Sequence, residues 1–162
     1  MQITKKTKKT AIIAGATALI LGGSIATFLI LRNKFHNPLR GASVGSGFGY
    51  RNDPFTGAKS FHSGIDLSAK AGTPIRAAKA GKVSMVGYDG VSGYYVKLKH
   101  DDGYDTFYCH MLKQSSVKTG QKVRRGQIIG LVGSTGRSTG PHLHFMMWKD
   151  GKLIDPKEKI SV

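Results

Sequence analysis

Residues Lys82–Lys99, KVSMVGYDGVSGYYVKLK, decide the fold. Two short runs, Lys82 to Tyr88 and Tyr94 to Lys99, are rich in Val and Tyr, and the pairs Asp89-Gly90 and Ser92-Gly93 stand between them. That arrangement reads as an antiparallel hairpin, because glycine accepts a positive φ without steric cost. Similar runs recur at Tyr104 to His110, Ile128 to Val132 and His142 to Trp148, with Asp102-Gly103 and Asp150-Gly151 as further turn signals. No amphipathic stretch of helix length interrupts them. From residue 46 to residue 162 the chain is therefore expected to be one all-β domain of antiparallel sheet.

Upstream the pattern changes. Residues 11–31, AIIAGATALILGGSIATFLIL, carry no charge, and a helix of that length rises about 30 Å, the thickness of a bilayer's hydrocarbon core. A transmembrane helix is predicted there. The basic tail over residues 1–10, with Lys5, Lys6, Lys8 and Lys9, favours a cytoplasmic N-terminus and places the domain on the extracytoplasmic side. A cleaved signal peptide with a small-x-small site at Ser24-Ile25-Ala26 competes with this reading, but the apolar run continues through Phe28 to Leu31. Residues 32–45, basic and then rich in small side chains, read as a linker.

A length of 162 residues allows one compact domain beyond the membrane segment. Twenty-five Lys and Arg against nine Asp and Glu give a net charge of +16, which implies an anionic partner. The basic residues are scattered, and no nucleic-acid recognition motif is present, so nucleic acid is not the expected partner. A single cysteine, Cys109, rules out an internal disulfide or a Cys-based zinc module. Its neighbour His110 should point to the opposite face of a strand, leaving Cys109 buried and inert rather than nucleophilic. The one Glu, Glu158, lies near the chain end, which disfavours a Glu general base.

Chemistry concentrates in three patterns: His62-Ser-Gly-Ile-Asp66, Tyr108-Cys-His110 and His142-Leu-His144. On a strand, residues two apart share a face, so His142 and His144 project together while Leu143 turns inward. Gly64 is expected to bend the chain so that His62 and Asp66 converge. Imidazoles plus one carboxylate suit one zinc ion with an open position for water, the arrangement of a hydrolase. His36 and His100 read as structural or surface residues, and Met146, Met147 and Trp148 as core or edge filling. The run GSTGRSTG (133–140) lacks the features of a phosphate-binding loop.

The segments GFGYRNDPFTG, FHSGIDL, FYCHML, VKTGQKVRRGQIIG and GSTGRSTGPHLHF resemble, in order and spacing, the lysostaphin-type (LytM-like) zinc endopeptidases of peptidoglycan, over residues 46 to about 156. The resemblance implies an antiparallel β fold of the duplicated hybrid motif kind with a groove over the metal. It implies that His62, Asp66 and His144 hold the zinc, and that His110 and His142 form the catalytic pair acting on the water and the tetrahedral intermediate. Glycylglycine-cutting members carry a tyrosine where this chain has Thr56; the wording is more similar to members that cut D,D cross-links between peptide stems. The predicted anchor and short tether fit the wall side of a cell membrane, or the membrane of a lipid-containing virion. A catalytically silent wall-binding or scaffold protein of the same fold, and a His/Asp iron oxygenase, are the rival readings.

Overall fold

The computed structural model describes residues 34–162. The predicted basic tail and the transmembrane helix over 11–31 lie outside the described residues. Within them the chain forms twelve strands: β1 Val44–Ser46, β2 Gly49–Asn52, β3 Lys59–His62, β4 Ile65–Ser68, β5 Pro74–Arg76, β6 Gly81–Asp89, β7 Gly93–Lys99, β8 Tyr104–Met111, β9 Lys122–Val123, β10 Ile128–Leu131, β11 His142–Lys149 and β12 Lys152–Ile154. One 3-10 turn, Pro156–Glu158, is capped by the Asp155 side chain.

An eight-stranded sheet runs in the order β1-β4-β11-β8-β7-β6-β9, with β12 paired to β11, while β5 pairs β10 and β2 pairs β3. Every pairing is antiparallel. The all-β expectation holds, and the five longest predicted runs correspond to β6, β7, β8, β10 and β11. Asp150 and Gly151 both adopt positive φ, 49° and 77°, and join β11 to β12 by a two-residue turn of the kind an Asp-Gly pair favours.

Alternation places Val83, Val96, Leu98, Thr106, Tyr108, Leu143, Phe145 and Met147 on one face of the sheet, where they are buried. The other face carries the site. Ile75 on β5 and Ile129 on β10 are fully buried and belong to the same core. Truncating a residue such as Leu143 or Phe145 to Ala would cost about 2–5 kcal/mol.

The linker expectation for 32–45 is corrected from residue 35 onward. Phe35 and Leu39 are buried in the core, Phe35 packs edge-on against His100 and Tyr104, and β1 joins the sheet edge. The His36 amide donates to the Ala78 carbonyl at 2.8 Å. Two apolar side chains in a basic stretch thus tie the domain's entry to its core.

Candidate metal and catalytic site

β11 is the spine of the site. His142, His144, Met146 and Trp148 fall on the face away from the core, as strand periodicity requires. Across one ladder His144 stands opposite Asp66 of β4, and across the other it stands opposite Cys109 of β8. His62 ends β3 and reaches the same point through the turn at Ser63-Gly64. Gly64 does not act as a bend of unusual φ. A Cβ there would meet the Phe145 carbonyl oxygen at 2.4 Å, so glycine is required for the turn to lie against β11.

Three ligand atoms converge. His144 Nδ1 lies 2.8 Å from Asp66 Oδ1, His62 Nε2 lies 3.0 Å from His144 Nδ1, and His62 Nε2 lies 3.2 Å from Asp66 Oδ1. A tetrahedral zinc site with bonds of about 2.0–2.1 Å has ligand–ligand edges of about 3.3 Å, close to this triangle. His62 Nδ1 donates to the Gly47 carbonyl at 2.6 Å, which fixes its tautomer and turns the Nε2 lone pair toward the other two ligand atoms. Two imidazole nitrogens and a carboxylate oxygen facing one another suit a cation, and the set fits zinc by donor type.

Burial works against ionisation of Asp66, but the contacts of His144 and His62 outweigh it and hold the carboxyl below the usual carboxylate range. Burial pushes His144 below its ordinary value, against the pull of Asp66.

His110 reaches the site by a different route. Strict alternation would send it toward the core, since Tyr108 points there. Instead the β7–β8 register shifts between Tyr94 and Val96, and His110 adopts φ 57°, a left-handed conformation uncommon for a residue with a side chain. The ring therefore turns to the groove, 4.7 Å from His142 and 5.9 Å from His144 between centroids. This corrects the expectation that Cys109 and His110 face opposite ways: both border the groove. Cys109 is still buried, and burial pushes its thiol well above the ordinary range.

Backbone carbonyls orient the two remaining histidines. His110 Nδ1 donates to Thr135 O at 2.8 Å, and His142 Nδ1 donates to Gly140 O at 2.7 Å. His142 Nε2 faces Asp66 Oδ1 at 3.6 Å. Burial pushes His110 down to about 4, so its ring is neutral near pH 7. The 133–140 run is a clamp: Thr135 Oγ1 donates to Met111 O at 2.6 Å and accepts from the Tyr94 amide at 3.0 Å. Gly93 packs against it with φ 63°, where a Cβ would meet Thr135 O at 2.4 Å.

A groove of about 940 Å³ lies over these residues. One wall is the turn after β2 and the other is the 134–141 loop, and Arg137 joins them with two parallel bonds of 2.8 and 2.9 Å to Asp53. Arg137 also lies over the Phe55 ring at 4.4 Å. Reading the sequence missed this ion pair, Arg51 on β2, and the carbonyls of Gly47, Thr135 and Gly140. Main-chain acceptors leave no residue signature; Asp53 and Arg137 were visible only as parts of motifs. Met146, read as filling, borders the groove, whereas Met147 is core.

Residues 60–156 match the family model described as Peptidase family M23. The chain is 41% identical over 119 residues to the DD-carboxypeptidase/endopeptidase Mpg of Neisseria meningitidis, covering 74% of this chain and 27% of that protein. It thus spans about a quarter of that relative's length. Among solved structures, a zinc containing peptidase from Vibrio cholerae superposes with TM-score 0.70 at 38% identity, over 76% of this chain and 39% of that one. The catalytic domain of lysostaphin from Staphylococcus simulans superposes with TM-score 0.64 at 35% identity, over 72% and 90%. With the family model spanning all five site residues, the chain belongs to peptidase family M23.

Proposed function

We propose that the chain is a zinc-dependent endopeptidase that hydrolyses peptide cross-links of bacterial peptidoglycan at a D,D bond. The observation that carries this reading is the triangle of His62, Asp66 and His144 with two further histidines beside it, in a groove of about 940 Å³. Similarity to the DD-carboxypeptidase/endopeptidase of Neisseria supports the D,D assignment.

When bound, zinc supplies Lewis acidity that polarises the scissile carbonyl and acidifies a water. The chain's residues do the rest. His62, Asp66 and His144 hold the ion, and the Gly47 carbonyl keeps His62 in the binding tautomer. His110 and His142 have Nδ1 tied to backbone carbonyls, so each presents Nε2 as a proton acceptor. Only after taking a proton can either ring donate to the developing oxyanion or to the leaving amine. The same reading anchors the enzyme by a helix over residues 11–31, with the domain on the wall side of a membrane.

The test is mass spectrometry of muropeptides released from purified sacculi by the full chain in detergent. Cross-linked dimers should fall to monomers cut at the D,D bond, chelator should stop the reaction, and zinc should restore it. Wall that stays intact with zinc present would leave a silent scaffold, and restoration by iron alone would overturn the metal assignment.

A further inference from the structure

The groove's charges match in number but not in pairing. Among the described residues, four charged side chains other than histidine border it: Arg51, Asp53, Asp66 and Arg137. Asp53 and Arg137 satisfy each other through their paired bonds. Asp66 turns Oδ1 toward His62 and His144. Arg51 is left under-used. Its Nη2 forms a long ion pair with Asp66 Oδ2 at 3.7 Å, beyond hydrogen-bond reach, and its buried Nε has no hydrogen-bond partner among the described residues.

A guanidinium carries five donors in a planar fork that matches a carboxylate, and an unpaired buried donor costs free energy. Asp66 meets this demand only in part, through the long ion pair to Oδ2, while its Oδ1 faces the two histidines. A divalent ion held by one carboxylate and two neutral imidazoles would itself leave a net positive charge, so the groove beside Arg51 calls for a further anion. The position of that anion is constrained. Arg51 faces Oδ2 at 3.7 Å while Oδ1 of the same carboxylate faces the two histidines, so Arg51 lies beside the atoms that would hold the metal.

We infer that Arg51 receives a free carboxylate of the peptide substrate, carried by the residue adjoining the scissile bond. The inference rests on the peptidase reading and narrows its substrate class: peptides with an ionised carboxylate at that position are preferred over their carboxamides and over plain glycyl links. Arg51 would thus set specificity by contact with substrate.

The experiment compares two synthetic cross-linked peptides, one with the adjoining carboxylate free and one with it as the carboxamide. Binding is measured by calorimetry to the zinc-loaded full chain carrying His142→Ala, and cleavage is measured with the unsubstituted chain. Binding should favour the free acid by about 10-fold or more, the scale of a charge-assisted pair. Arg51→Gln should erase that ratio by weakening the acid alone, Arg51→Lys should restore part of it, and zinc content should stay unchanged in both. An acid-to-amide ratio that survives Arg51→Gln overturns the inference. So does an equal loss on both peptides together with loss of zinc, which would make Arg51 a support for Asp66. A preference in binding without any cleavage by the unsubstituted chain would keep the Arg51 assignment and remove the peptidase reading instead.

Discussion

Asp66 and His144 stand directly opposite each other across the β4–β11 ladder, with His144 Nδ1 2.8 Å from Asp66 Oδ1. Strand pairing fixes this contact, so the ladder and not the side chains brings two ligands from residues far apart in the chain to one point. Asp66→Ala should therefore leave the sheet intact while emptying the site. Circular dichroism should be unchanged, zinc affinity should fall by more than the roughly 100-fold typical of losing an outer-shell partner, and wall hydrolysis should be lost. Retained zinc on metal analysis would contradict the ligand assignment.

How much of this was legible in the sequence depends on what carries each feature. His142 and His144 were legible because the period of two needs no further information. β6, β7, β8, β10 and β11 were legible because apolar runs alternate with glycine turns. His110 was legible as a candidate but not in its direction, since a single left-handed φ reverses the face it occupies and nothing in Tyr-Cys-His announces that. Phe35 and Leu39 were lost in a basic stretch because two isolated apolar residues make no pattern. β1 to β5 span only three or four residues each, too short for alternation to show.

Cys109 borders the groove beside His110, yet burial holds its thiol protonated. A protonated thiol is a poor nucleophile. Cys109→Ala should keep hydrolytic activity within about 3-fold, a shift below 1 kcal/mol in barrier, and a thiol reagent should label the chain only after denaturation. Activity that disappears with the thiol would revive covalent catalysis.

Arg137 and Asp53 hold the two groove walls together through an exposed pair, and surface pairs weaken as salt screens them. Asp53→Ala and Arg137→Ala should each raise KM with kcat little changed, and the double substitution should be no worse than either one. Raising ionic strength should move the unsubstituted chain toward the variants. A fall in kcat without a change in KM would place this pair in the chemistry rather than in the shape of the groove.

On the outer face of the sheet Lys82 lies opposite Lys99 on one side and opposite Lys122 on the other. Like charges directly opposed on neighbouring strands are destabilising, and opposite charges contribute about 0.2–1 kcal/mol per pair. Lys82→Glu should therefore raise the thermal midpoint at low salt, by roughly a few degrees for a domain of this size. The gain should shrink with added salt. Differential scanning calorimetry at two ionic strengths checks both statements.

His100 gives the stability its pH dependence on a side of the domain remote from chemistry. Its ring is buried, with Nδ1 donating to the Ala80 carbonyl at 2.8 Å and Nε2 2.9 Å from the Thr106 hydroxyl, which in turn contacts the Tyr108 hydroxyl. Burial lowers its pKa from the ordinary 6.5; the Ala80 contact opposes this, Lys79 adds to the lowering, and Asp102 and Asp105 oppose it. The folded state therefore binds the proton less readily than the unfolded chain does. Between the folded value and 6.5 the unfolded chain holds more protons, so stability rises with pH through that window and is lost as pH falls through it. Cooling the comparison to one group is possible because His100 touches neither the groove nor its ligands: His100→Gln should be less stable than the unsubstituted chain at pH 7.5, but its midpoint should fall less between pH 7.5 and pH 5. Parallel midpoint curves for the two proteins would show that acid sensitivity comes from other groups.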